Sequence, residues 1–163
     1  MWRRGNGFTL IELLFVVALF GVLASILVST YQTYLVRSQV SEAISSVSRV
    51  KDQISDAYLM GNKELDQVGA DVSQLPSGSF GSYVAEVVVV NGRIDITFGN
   101  KAHQDIAAET ISLTPYLVAG DAIIWRCGNA PNPDGATSLA PGNVGLEHRQ
   151  PTLIARYLPR DCR

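Results

Sequence analysis

Apolar residues are distributed very unevenly along this chain. From Leu13 to Val28 every residue is apolar except Gly21 and Ser25, and no charge stands among the 24 residues between Glu12 and Arg37. About 20 such residues suffice for a helix to cross the hydrocarbon of a bilayer, so the pattern predicts one span, apolar on all sides. Past Arg37 the pattern narrows to a stripe. Val40, Ala43, Ile44, Val47, Val50, Ile54, Ala57 and Tyr58 recur at steps of three and four, with Ser41, Glu42, Ser45, Ser48, Arg49, Lys51, Asp52 and Asp56 between them. That spacing predicts an amphipathic continuation of the same helix. No proline occurs before Pro76, and Gly61-Asn62 supplies a stop signal. A helix from Phe8 to Met60 would run roughly 80 Å at 1.5 Å per residue.

The period then changes. Tyr83 to Val90 is rich in valine, Asn91-Gly92 is the strongest short hairpin signal, and Arg93 to Phe98 alternates as a return strand. Glu109 to Val118 and Asp121 to Cys127, joined through Ala119-Gly120, predict a second hairpin. Pro115 within it points to an edge or a bulge. The expected architecture is α+β: a long N-terminal helix whose outer half packs on a four-stranded antiparallel sheet.

Composition refines this picture. The 163 residues are 47% apolar and 17% charged, with 13 basic and 15 acidic side chains and a net charge of −2. Too few charges are present for a disordered chain, and the balance argues against a basic nucleic-acid binder. The mean hydropathy of +0.15 is high for a soluble protein, and the excess lies in the N-terminal span.

Three readings compete for that end. A secretory signal would use the basic start Arg3-Arg4 and a cleavage site near Val22-Leu23-Ala24. A permanent anchor would keep Arg3 and Arg4 in the cytoplasm and export the rest. The third turns on Glu12, a carboxylate at the mouth of an apolar helix, where such groups are costly and have a functional partner by default. Against it stands simple snorkelling, since Glu12 is only about 6 Å of helix beyond Phe8.

The order Gly7-Phe8-Thr9-Leu10-Ile11-Glu12-Leu13 behind a short basic leader resembles the processing signature of type IV prepilins. The resemblance implies cleavage after Gly7 by a prepilin peptidase, N-methylation of Phe8, and retention of the apolar stretch as a fibre core. It also implies that Glu12 meets the N-terminal amine of a neighbouring subunit. An amine and a carboxylate in an apolar core are each costly unless paired, and pairing them across subunits would set the axial register. The wider class includes pilus subunits and the pseudopilins of secretion systems. Members usually carry a proline where this chain has Ser29, and in fibres the stretch from the position of Gly21 can unwind. Serine keeps its backbone donor, so the resemblance does not carry that unwinding over. Tyr31 and Tyr34 match family aromatics just past this point.

Two cysteines in an exported chain favour a disulfide over two free thiols. A Cys127–Cys162 bridge would close 36 residues, worth roughly 3–4 kcal/mol by loop entropy. Trp125-Arg126-Cys127, with Tyr157-Leu158-Pro159 before the last cysteine, resembles the C-terminal disulfide loop of type IVa major pilins, which pseudopilins generally lack. The organisation this implies is a leader at 1–7, a membrane and fibre-core helix at 8–36, its amphipathic continuation at 37–60, a connecting loop at 61–82, the sheet at 83–127 and a disulfide-bounded region at 128–163.

No catalytic pattern is present. His103 and His148 are the only histidines, and there is no HExxH, GxSxG, Walker loop, GxGxxG or CxxC. Asn132, Asp134 and Asp121 could be arranged around calcium, but Asn-Pro-Asp-Gly is first a turn signal. The expectation is a structural subunit of a type IV pilus, serving adhesion, twitching motility or DNA uptake, and neither enzyme nor cofactor protein. The alternative is a minor pilin or a type II secretion pseudopilin. The implied partners are further copies of the chain, the inner membrane before assembly, the prepilin peptidase, an assembly platform protein, an assembly ATPase and a secretin. Without the leader the chain has 11 basic and 15 acidic residues, a balance that predicts no nucleic-acid binding by net charge.

Overall fold

The computed structural model describes residues 7–59, 65–76, 78–120, 122–139 and 147–163. It comprises two compact units, Met1–Leu35 and Val36–Arg163. Helix α1 runs from Leu10 to Ser46 and α2 from Ser48 to Leu59. Together they are long and apolar enough, by length and composition, to cross a membrane. Most large apolar side chains of the first unit, among them Phe15, Phe20, Leu27 and Tyr34, are exposed. The helix passes without a break through Gly21 and Ser29.

The expected single helix is interrupted at Val47, and serine chemistry explains where. The Ser45 hydroxyl donates to the Glu42 carbonyl and the Ser46 hydroxyl to the Ala43 carbonyl, both at 2.8 Å. Those carbonyls are the acceptors that Ser46 and Val47 N–H would use in a regular helix, so the side chains compete with the ladder. Helix is described as far as Leu59; the Gly61-Asn62 stop lies outside the described residues. Within 61–82, read from composition as a connecting loop, a third helix forms, α3 (Leu65–Ser73). The Gly and Asp content of that stretch hid it: a short helix is marginal by propensity and draws its stability from packing. Gly69 is the point of closest approach, since a Cβ there would sit 3.0 Å from the Val89 carbonyl oxygen.

In the second unit four strands, β1 (Val84–Val90), β2 (Arg93–Phe98), β3 (Thr110–Val118) and β4 (Ala122–Cys127), pair antiparallel in chain order. A two-residue β5 (Thr137–Ser138) adds to β3. Asn91 and Gly92 both have positive φ, 50° and 86°, as a tight type I′ turn demands. Pro115 lies inside β3 and pairs with Trp125 of β4. It fits because the Pro115 carbonyl accepts from Leu139 N–H on the opposite side of β3. Its nitrogen faces that same side, past the last residue of β3 that β2 pairs, Leu113, so no bond to β2 is lost.

The core lies between the helices and one sheet face. Val36, Val40, Ala43, Val47, Val50 and Ile54 form the buried helical stripe, meeting Val84, Val87, Ile94, Ile96, Phe98, Ile111 and Leu113. Tyr58, read as part of that stripe, is exposed.

Candidate functional site

Gly7, Phe8 and Glu12 lie together at the start of α1. Gly7 and Phe8 are exposed and precede the helix. Thr9 is its N-cap and Glu12 the third helical residue. The Glu12 carboxylate accepts from Thr9 N–H at 2.9 Å and from the Thr9 hydroxyl at 2.7 Å, while Glu12 N–H reaches back to Thr9 Oγ1 at 3.4 Å. This is a capping box. Its signal, Thr-x-x-Glu before an apolar run, stands in the sequence on the same residues as the processing motif. The geometry does more than nucleate the helix. Two donors of Thr9 already engage one carboxylate oxygen, Oε2, within the chain, which lowers the cost of holding it at the edge of an apolar environment. The carboxylate also has the capacity to accept from an ammonium group.

The second candidate region is the C-terminal segment. Cys127 and Cys162 are bonded, with Sγ–Sγ 2.08 Å and Cα–Cα 4.7 Å. Gly128, next to the bridge, has φ of 56°, and a Cβ there would lie 2.6 Å from the Cys162 carbonyl oxygen. Only glycine fits both the conformation and the contact. Asn129 N–H donates to that carbonyl at 2.8 Å. Leu158 and Tyr157 are buried beneath the bridge region, and the Tyr157 hydroxyl donates to Asp105 at 2.6 Å. That bond holds the phenol above its ordinary range.

Sequence patterning did not reveal what covers the outer sheet face. Asp95, Ser112 and Thr114 are buried there, and residues 147–149 satisfy them. Arg93 grips Asp95 through two bonds of 2.9 Å and donates to the Glu147 carbonyl, while Arg149 lies 3.8 Å from the same carboxylate. Ser112 donates to the Arg149 carbonyl at 2.8 Å. His148 lies between Thr114 Oγ1 (2.8 Å) and the Gly128 carbonyl (2.6 Å). The carbonyl can only accept, so Nε2 carries the proton and Nδ1 accepts from Thr114. Burial lowers the pKa of His148, in keeping with a neutral ring.

Asn132, considered as a calcium ligand, instead accepts from the Tyr116 hydroxyl and from Arg126. A guanidinium on that oxygen opposes a cation. Among the described residues no group of three metal-ligating side chains forms; Asp121 lies outside them.

Comparison with known proteins places these features in context. The model of the pilin family, a bacterial filament family, matches residues 36–163, and that of the prokaryotic N-terminal methylation motif matches residues 2–28. The chain is 33% identical over 160 residues to a type IV major pilin protein PilE1 of Neisseria gonorrhoeae, covering 97% of this chain and 93% of the relative. It is 31% identical over 161 residues to a fimbrial protein of Neisseria meningitidis, with 97% and 94% covered. A fimbrial protein of Pseudomonas aeruginosa is 31% identical over 153 residues, with 86% and 97% covered.

Proposed function

This chain belongs to the pilin family, and from that premise we propose how it is processed and assembled. It is a structural subunit of a type IV pilus, and its major-pilin relatives give no support to the pseudopilin alternative. In our reading it is made as a prepilin, cut after Gly7 and methylated at Phe8. It then rests in the inner membrane as a single-pass protein with its head outside. A peptidase, a platform protein, an assembly ATPase and a secretin act on it in turn.

The observation that carries this reading is the apolar helix with its side chains exposed, opening on the Thr9–Glu12 box. In the membrane those side chains face lipid; in a fibre they face other copies. Lipid tails are as apolar as leucine, so hydrophobicity alone does not favour the transfer. Packing, a motor and a new polar contact must bias it. Cleavage supplies that contact: the freed Phe8 amine is positive, and Glu12 of a neighbour is the acceptor, exchanging its two neutral donors for a charged one. A subunit out of register would leave both charges unpaired in an apolar core.

Mass spectrometry of sheared surface fibres tests the processing, with N-methyl-Phe8 expected as the first residue; a product starting beyond residue 20, or uncut, overturns it. Glu12→Val is expected to leave a membrane-resident monomer and few or no fibres by electron microscopy. Fibres at the parental level would remove Glu12 from assembly.

A further inference from the structure

Four of the arginines lie in one part of the second unit and have no carboxylate partner. Arg37 Nη2 donates to the Arg156 carbonyl at 2.8 Å, and Arg163 Nη2 approaches the same oxygen at 3.3 Å. Arg163 Nε holds the Leu158 carbonyl at 3.1 Å. The Arg156 guanidinium lies 4.7 Å from the centre of the Tyr157 ring. Arg160 follows in the adjoining 3-10 turn, Arg160–Cys162. None of the ion pairs formed among the described residues includes any of the four. Positive charge remains in excess after Asp161 and Asp105 are counted against them, in a chain that is otherwise acidic. Asp105 also accepts from the Tyr157 hydroxyl.

Arg37 is held at a cost. Its Nε is sealed from solvent without an acceptor, so part of this cation is desolvated with no counter-charge, which is unfavourable unless something repays it. Arg156, Arg160 and Arg163 by contrast are exposed. Their free guanidinium edges are suited to forked contacts with the oxygens of a phosphate.

Chain position indicates which phosphate. Arg37 is the first charged side chain after the 24 uncharged residues of the span, and Tyr31 and Tyr34 precede it. Tyrosine is the residue type that settles at headgroup depth. We infer that Arg37, Arg156, Arg160 and Arg163 form a binding site for the phosphate headgroup of an anionic phospholipid, held while the subunit waits in the membrane. The inference rests on the proposed membrane-resident precursor. Release of the lipid on entry into a fibre would free the same arginines.

The test uses the full chain in mild detergent, offered phosphatidylglycerol and phosphatidylcholine in equal amounts, with retained lipid counted by native mass spectrometry. Phosphatidylglycerol is expected in clear excess. Arg156→Gln and Arg163→Gln, both at exposed positions, are each expected to lower its retention about fivefold, the effect of one basic residue near an anionic surface. Arg37→Gln should do the same and Arg37→Lys largely restore it, which separates charge from folding. Arg49→Gln, an exposed arginine on α2, should change little. Equal retention of the two lipids overturns the inference alone, whereas failure to retain either overturns the membrane-precursor reading with it. An equal loss in Arg49→Gln would reduce the effect to overall charge. Displacement of the lipid by inorganic phosphate would assign the site to a free anion. Unchanged lipid retention with fewer fibres in the variants would make the cluster a contact between copies and refute the lipid site.

Discussion

Thr114→Val isolates the bond that fastens the C-terminal segment to the sheet. Valine keeps the shape of the fully buried Thr114 side chain and removes the hydroxyl that donates to His148 Nδ1 at 2.8 Å. The ring then keeps its bond to the Gly128 carbonyl and loses its other partner. Leaving such an acceptor unpaired costs about 1–3 kcal/mol. Water can partly replace the hydroxyl because the ring is only half-buried, so the lower part of that range, about 1–2 kcal/mol, applies. For a head of this size the melting temperature should fall by roughly 4–8 °C, measured by circular dichroism on the disulfide-intact chain in detergent at pH 7.5. The same geometry fixes a pH dependence. The folded protein holds the His148 pKa below its ordinary 6.5, through burial first, with Arg126 and Arg93 adding repulsion against the pull of the Gly128 bond and of Asp95. Between that depressed value and 6.5 the unfolded chain binds the extra proton. Stability therefore rises with pH across this window and is lost as the solution is acidified through it. His148→Gln should flatten that part of the profile. A Thr114→Val melt within about 1 °C of the parent, or parallel acid profiles for parent and His148→Gln, would refute the clasp.

Two further predictions concern the bridge. Replacing both cysteines, Cys127→Ser with Cys162→Ser, should cost roughly 3–4 kcal/mol through the restored freedom of a 36-residue loop, read as a lower urea midpoint; an unchanged midpoint contradicts it. Gly128→Ala should cost about 1–3 kcal/mol, since alanine is strained at the observed φ and its Cβ would collide with the Cys162 carbonyl; equal thermal stability would show that the backbone there yields freely.

The local signals were legible where a pattern dictates one structure regardless of context. The 24 uncharged residues, the three-four stripe and the Asn91-Gly92 turn each specify an element by sterics or solvation acting over a few neighbours. The Thr9–Glu12 box is equally local and shares its residues with the processing motif. Helix α3 and the Val47 interruption were harder, because propensity there is nearly neutral and packing or a serine hydroxyl tips the balance.

Hydrophobic patterning alone divides the chain into an apolar helix with exposed side chains and a head with its own core. That follows from hydrophobic periodicity, which needs no partner to be read. Which polar groups meet is set by the folded chain. Asp95, Thr114, Gly128 and His148 are far apart along the chain, and so is Arg37 from Arg156 and Arg163. Nothing local favours one pairing over another; burial does, because each polar group enclosed by the fold must find a partner there or be left unsatisfied.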